Sequence, residues 1–424
     1  MEAQASLAGL KKIAIENLTI GMYVAQLDHP WIESNFPIQG FYLRSPQSIE
    51  RVTRECRFVY VDPRRYDSSL TDVKLGLVSD GRAIEEAGSD IGSQARIYPQ
   101  NRQEYNDTAE LGSELEPART SIEEATEILK GCVQKLQSAG GFDIDDIERA
   151  ISPLVASVMR NNSAMAALLR MRAVDDYTFS HSIACAVWGA IIGRQLGFPP
   201  KDIDSLALAC SLMDIGKTNL PPDLLQQVES PTEEQWEQLK GHVEEGLKLL
   251  EENEVDDENL RRTIQSHHER YDGSGYPNGL EGNDIPLYAR IAGIVDSYDA
   301  MISDTPYSAV RSSYAAVQEL QSKAGVLYQK ELVEQFIQAI CVFPVGAIVE
   351  MNTGEVGVVV AQDTTRRLKP KIILLLDSEK KPRSHLVVAD LAKQESNNSG
   401  TLSWWITKEL PNSAYGIDPA KYFL

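Results

Sequence analysis

Apolar residues recur at two different periods along this chain, and the change of period divides it. Between residues 1 and 67 the apolar runs are short and extended. "KKIAIENLTIGMYVAQLD" offers two around "NLTIGM", "GFYLRS" is another, and "FVYVDP" ends at a proline, which predicts a small β-rich N-terminal domain. From 68 to 118 the chain turns polar and acidic ("EEAGSDIGSQ", "YNDTAELGSELEP") and sustains no period, as expected of a flexible linker. From 119 to 342 the apolar positions return at helical spacing. "TSIEEATEILKGCVQKLQSA", "DIDDIERAISPLVASVMRNN", "DYTFSHSIACAVWGAIIGRQLG" (stopped by Gly197 and Pro199) and "IDSLALACSLMDIG" all read as helices. "SPTEEQWEQLKGHVEEGLKLLEE" opens with Ser230 as the expected N-cap and Glu233 completing a capping box. Then come "ENLRRTIQSHHER", "IPLYARIAGIVDSYDAMIS" and two further helices near 312–324 and 328–341. After "CVFPVG" short strands return over 343–424 ("AIVEMN", "GEVGVVVAQD", "KIILLLD"), with "NTGE" as a turn. The pattern predicts a multi-domain, mainly α protein: a central all-α domain flanked by two small β-rich elements.

Composition narrows the partners. A formal charge of -21 argues against a broad nucleic-acid or anionic-membrane surface, but leaves room for a small anionic ligand in a locally basic pocket. The five cysteines (Cys56, Cys132, Cys185, Cys210, Cys341) form no CxxC pair. No run approaches the length of a membrane span, and the N-terminus lacks the layout of a signal peptide. A reduced, soluble, cytoplasmic protein is expected.

Candidate chemistry lies in the helical domain. Four of the six histidines, His181, His242, His267 and His268, fall there, together with Asp214 and Asp296. Imidazole and carboxylate donors of this kind bind one or two divalent first-row metals, and such ions activate water and clamp a phosphoryl oxygen in hydrolytic sites. In "SLMDIGKTNL" an apolar helix ends at Asp214, a glycine suited to stopping it (Gly216), and Lys217. In "HHERYDGSGYPNGLEGNDIPLYARI" a histidine pair runs into a loop whose Gly273 and Gly275 let backbone amides approach a ligand, while Tyr276 and Pro277 stiffen the exit.

"HHERYDGSGYP" followed by "IPLYARIAGIVDSYDAM" resembles the HD-GYP proteins, a bacterial branch of the HD phosphohydrolase superfamily, from about His181 to Tyr307. "LTIGMYVAQLDHPWIESNFPIQGF" with "FVYVDP" is similar to a small domain often found ahead of HD-GYP domains. The resemblance implies an HD-type helical domain and hydrolysis of cyclic di-GMP to pGpG or GMP at a centre of iron or manganese rather than zinc. It puts His181, Asp214, His242, His267, His268 and Asp296 at ligand positions, with Asp214 bridging. Lys217 falls beside the scissile phosphate and the Gly273–Pro277 loop at the substrate, while Arg290 and Arg270 remain as candidate phosphate partners. Diguanylate cyclase (GGDEF) proteins are implied partners, and a homodimer is compatible with it.

Three positions depart from that pattern. The histidine of the His-Asp pair is Met213, whose soft thioether suits neither iron nor manganese. Tyr177 stands where some members carry a glutamate for a third metal, so the centre is expected to be binuclear at most and weakly occupied. Thr305 and Ser308 replace an arginine and a lysine that bind substrate phosphate; a charge-assisted hydrogen bond is worth about 1.5–3 kcal/mol. Two expectations follow: a metal-dependent cyclic di-GMP phosphodiesterase with an impaired site, or a catalytically inactive member that binds partners in the same signalling system.

Overall fold

Residues 10–28, 41–43, 46–63, 97–99, 101–139, 141–171, 177–226, 231–303, 311–340, 342–362, 369–393, 404–411 and 414–422 are described by a computed structural model. The N-terminal unit contains β1 (Lys11–Ala14), β2 (Tyr23–Leu27), β3 (Phe41–Tyr42), α1 (Pro46–Glu55) and β4 (Phe58–Val61). Its sheet is antiparallel in the order β1-β4-β2-β3, with Lys11 opposite Val61 and Tyr23 opposite Tyr42. The strands fall where the short apolar runs predict them. Helix α1 was not predicted; it buries Val52, which joins Val24, Leu27, Leu43, Cys56 and Val59 in one core.

The second unit holds the remaining helices and the C-terminal sheet. Its helices are α2 (Leu111–Ala139), α3 (Ile144–Arg160), α4 (Asn162–Met171), α5 (Tyr177–Leu196), α6 (Pro200–Leu212), α7 (Pro222–Gln226), α8 (Glu233–Lys240), α9 (His242–Glu252), α10 (Glu258–Ser266), α11 (Leu287–Ile302), α12 (Ser313–Lys323) and α13 (Lys330–Ile340). Helix α5 is apolar on every side, and a helix of that kind belongs in an interior. It is buried from Ile183 to Ile192. Its Trp188 meets the rings of Tyr298 (α11) and Phe336 (α13) edge-on at 5.3 and 6.5 Å. Gly189 lets α6 come close: a Cβ there would stand 2.9 Å from Cys210 Sγ. Helix α8 is capped by Thr232 and Gln235, not by Ser230 and Glu233. The Thr232 hydroxyl accepts from Gln235 N–H, and the Gln235 side chain accepts from Thr232 N–H. The capping signal was right in kind and two residues early.

The linker expected over 68–118 ends too late. Residues 111–118 are the first turns of α2, and residues 101–108 lie against the ends of α3 and α5. Gln103 N–H donates to Gly197 O (2.9 Å), the Tyr105 hydroxyl to Phe198 O (2.7 Å), and Thr108 N–H to Arg160 O (2.9 Å). Helix C-termini expose carbonyls that need donors, and a polar strap supplies them. Polarity here meant capping, not mobility. The rest of the expected linker lies outside the described residues.

Glu114 carries the same lesson. This acid of the expected linker is buried; its carboxylate accepts two bonds from the Arg160 guanidinium (2.9 and 2.8 Å) and one from the Ser157 hydroxyl (2.6 Å). The Arg160 hydrogen bond outweighs burial and, with Ser157, holds the carboxyl below its ordinary 4.5. Removing one partner of a buried pair costs about 3–5 kcal/mol, and the 43% exposure of the Arg160 side chain reduces that. Glu114→Gln should therefore lower unfolding stability by about 1–3 kcal/mol at neutral pH. A depressed carboxyl stabilises above its unfolded pKa and loses that contribution as pH falls through the folded one. The two proteins' urea curves should therefore converge below pH 4.5.

The C-terminal strands β5 (Ile348–Met351), β6 (Val356–Ala361), β7 (Lys371–Leu376), β8 (Pro382–Asp390) and β9 (Ile406–Leu410) form one antiparallel sheet in the order β8-β7-β6-β5-β9. Gly354, at φ +89, makes the predicted turn between β5 and β6. Glu409 on β9 ties the sheet to the helices: it pairs with Arg170 of α4 and accepts from Tyr314 N–H of α12 at 2.8 Å. Among the described residues no helix is long and apolar enough to cross a membrane.

Candidate metal centre

Five elements deliver the predicted donors to one place. His181 comes from the second turn of α5 and Asp296 from the middle of α11. Asp214 follows α6 at the entrance of a 3-10 turn (Ile215–Asn219), and His242 is the first residue of α9. His267 caps α10 and His268 follows it, so this pair sits in the turn after the helix rather than on it. Donor atoms of Asp214, His242, His267 and His268 all lie within 4.8 Å of one another, as do those of His181, Asp214 and Asp296. Asp214 belongs to both groups.

Hydrogen bonding fixes the ring orientations. His242 Nδ1 donates to Leu239 O (2.6 Å) and His267 Nδ1 to Ile264 O (2.9 Å). Because a carbonyl only accepts, each Nε2 turns a lone pair inward. Those two Nε2 atoms are 3.4 Å apart, and Asp214 Oδ1 lies 3.3 Å from one and 3.6 Å from the other. Asp214 Oδ1 is buried and accepts no hydrogen bond. With the rings neutral, three electron-rich atoms converge on one space, the arrangement a cation resolves. The donor set therefore fits a divalent ion.

Charge supports that reading. Burial pushes His242 down to about 4. Burial and the adjacent His267 hold His268 well below its usual range, so both rings are neutral, as a metal ligand must be, at neutral pH. Burial alone would raise the Asp214 carboxyl; the Lys217 ammonium, 2.6 Å from Oδ2, and the facing imidazoles outweigh it and keep the group well below the carboxylate range. Asp296 is likewise held low against its burial by the hydrogen bond from His181 and by nearby His268.

Other predicted residues fall into place unevenly. Met213, 1% exposed, ends α6 immediately before Asp214. The Tyr276 ring stacks on His268 (4.7 Å, 20°), and Lys240 Nζ lies over the same ring at 5.4 Å from its centroid. Gly273 takes φ +78, and Gly275 has its Cα against the backbone of Glu269 and Arg270, where a Cβ would stand 2.3 Å from Arg270 N. Both glycines serve the closure of their own loop, which Pro277 leaves. Arg290 is turned to Asn283 and Gln329 (3.1 and 2.7 Å), a bond pattern belonging to the base of α11 rather than to the histidines. Tyr177 begins α5; Thr305 and Ser308 lie outside the described residues.

Two residues that sequence reasoning missed hold the site together. Asp299, fully buried, accepts from His181 Nδ1 (2.8 Å) and Trp188 Nε1 (3.1 Å) and so orients the first histidine. Its spacing of three from Asp296 on an apolar helix was the available signal. Glu269 is buried behind the histidine pair and accepts from Asn278 N–H (2.7 Å) and Leu280 N–H (3.0 Å), pinning the glycine loop.

Three family descriptions match the chain in series: "Domain of unknown function (DUF3391)" over residues 10–147, "HD domain" over 152–332 and "KOW domain associated with HD domain" over 348–398. The cyclic di-GMP phosphodiesterase PA4108 of Pseudomonas aeruginosa is 26% identical over 387 residues, which is 91% of this chain and 89% of that protein. A cyclic di-GMP phosphodiesterase of Thermotoga maritima is 35% identical over 165 residues, 39% of this chain and 45% of the relative. A solved structure, Bd1817, a HDG"Y"P protein from Bdellovibrio bacteriovorus, has a loose likeness: 15% identity and a TM-score of 0.43 over 77% of this chain and 98% of its own. The HD match spans every predicted ligand, and the relatives bear the name that the histidine cluster and the GYP loop suggested. The chain thus carries an HD domain over residues 152–332, between regions that match DUF3391 and the KOW domain associated with HD domains, and the residue before Asp214 in it is Met213.

Proposed function

We propose that this protein binds cyclic di-GMP at the Asp214 centre and hydrolyses it to pGpG more slowly than relatives that keep the full His-Asp pair. The convergence of Asp214 Oδ1 with the Nε2 lone pairs of His242 and His267 carries the reading. A divalent ion, iron or manganese by its nitrogen and oxygen donors, polarises a phosphoryl oxygen and acidifies water when bound. The remaining work falls to the chain. Lys217, already beside Asp214 Oδ2, places positive charge where a phosphodiester would acquire negative charge. Tyr276 shields His268 and closes one wall. Asp299 keeps His181 in register.

The buried thioether of Met213 favours a second reading, a member that retains nucleotide or a partner such as a diguanylate cyclase without turnover. An assay separates them. Purified protein with Mn²⁺ and cyclic di-GMP, followed by anion-exchange chromatography, should yield pGpG slowly. Lys217→Ala should cut that rate by about a hundredfold, and Met213→His should raise it. A wild type that makes no product while Met213→His does would establish the second reading for the native chain. These functions would be carried out in the cytoplasm.

A further inference from the structure

The two halves of the centre are unequal. On one side Asp214 Oδ1, His242, His267 and His268 offer four donors, and the carboxylate oxygen among them is buried without a hydrogen bond. On the other side His181, Asp214 Oδ2 and Asp296 offer three donors. That side is satisfied from within the chain. Asp214 Oδ2 is held by the Lys217 ammonium at 2.6 Å, and His181 sits between Asp299 and Asp296 at 2.8 and 3.2 Å. The residue beside Asp214 is a buried methionine, a donor with little affinity for hard divalent ions. A cation entering there would have to displace an ammonium from the same carboxylate, with no fourth donor in that group among the described residues in return.

We infer that the protein holds one divalent ion, not two, in the four-donor half formed by Asp214, His242, His267 and His268, and that Lys217 serves as the cation of the other half. The inference rests on the metal-binding part of the proposed function and is independent of turnover. It is tested with Mn²⁺ alone. Protein stripped with chelator, equilibrated with Mn²⁺ and desalted should carry one ion per chain by elemental analysis. Its electron paramagnetic resonance spectrum should be that of an isolated ion rather than of an exchange-coupled pair. His267→Ala should weaken Mn²⁺ binding by about ten- to a hundredfold or more, whereas Asp296→Ala should leave it within about tenfold of wild type. Should either alanine variant fail to fold, His267→Gln and Asp296→Asn make the same comparison. Two ions per chain, a coupled spectrum, no bound Mn²⁺ at all, or equal losses from the two variants would overturn the inference. A correct ion count with no pGpG formed would leave it standing while removing the phosphodiesterase reading.

Discussion

Gly216→Ala is expected to lose about 3 kcal/mol of stability or more, enough to leave much of the protein unfolded. In the 3-10 turn after Asp214, the Gly216 Cα faces the start of α9; a Cβ would stand 2.0 Å from His242 O and 2.4 Å from Gly246 N. Both neighbours are backbone, so no side chain can swing away, and the turn and α9 must part. That separation would also carry Asp214 away from His242, now 3.3 Å apart, so metal retention should fall with stability. Gly131→Ala in the middle of α2 is the control. Nothing lies within 4 Å of its Cβ position, and a mid-helix glycine replaced by alanine should gain about 0.5–1 kcal/mol. Urea titrations of the two variants should move in opposite directions. A Gly216→Ala protein as stable as wild type would mean the turn and α9 do not meet this closely.

Gly216 also shows where sequence reasoning reached its limit. As a residue type in "SLMDIGKTNL" it read as a helix stop, which calls for the left-handed region. Gly216 does not take a positive φ, whereas Gly197, at φ +78, follows α5 in that conformation. Its lack of a side chain matters because of α9, a partner some 26 residues on in the chain. Local pattern carries no information about such an approach. The donors were legible for the opposite reason: histidine and aspartate within or beside apolar helices are rare enough to be noticed one by one, and the structure brings all six into two overlapping groups. The strap at 101–108 and the buried Glu114 were illegible because a polar residue that caps a helix end and one that faces water look alike until the carbonyl or guanidinium it meets is known.

Asp299→Ala should cost about 3–5 kcal/mol, although the residue touches no predicted substrate and was not among the predicted ligands. Its side chain is fully buried and is the acceptor for two buried donors, His181 Nδ1 at 2.8 Å and Trp188 Nε1 at 3.1 Å, with Ser303 Oγ at 3.2 Å. Alanine would leave the indole N–H with no acceptor, at about 1–3 kcal/mol for an unsatisfied buried group, and would empty space beside the Trp188–Tyr298 pair. His181 would keep its contact with Asp296 but lose the bond that sets its ring plane. Asp299→Asn is the milder test: the amide oxygen can still accept from one of the two donors, while the amide NH₂ must face the other. That variant should therefore lie between wild type and alanine in a thermal melt. If both variants melt with the wild type, the Asp299 bonds contribute nothing to the fold, and the orientation of His181 must come from packing alone.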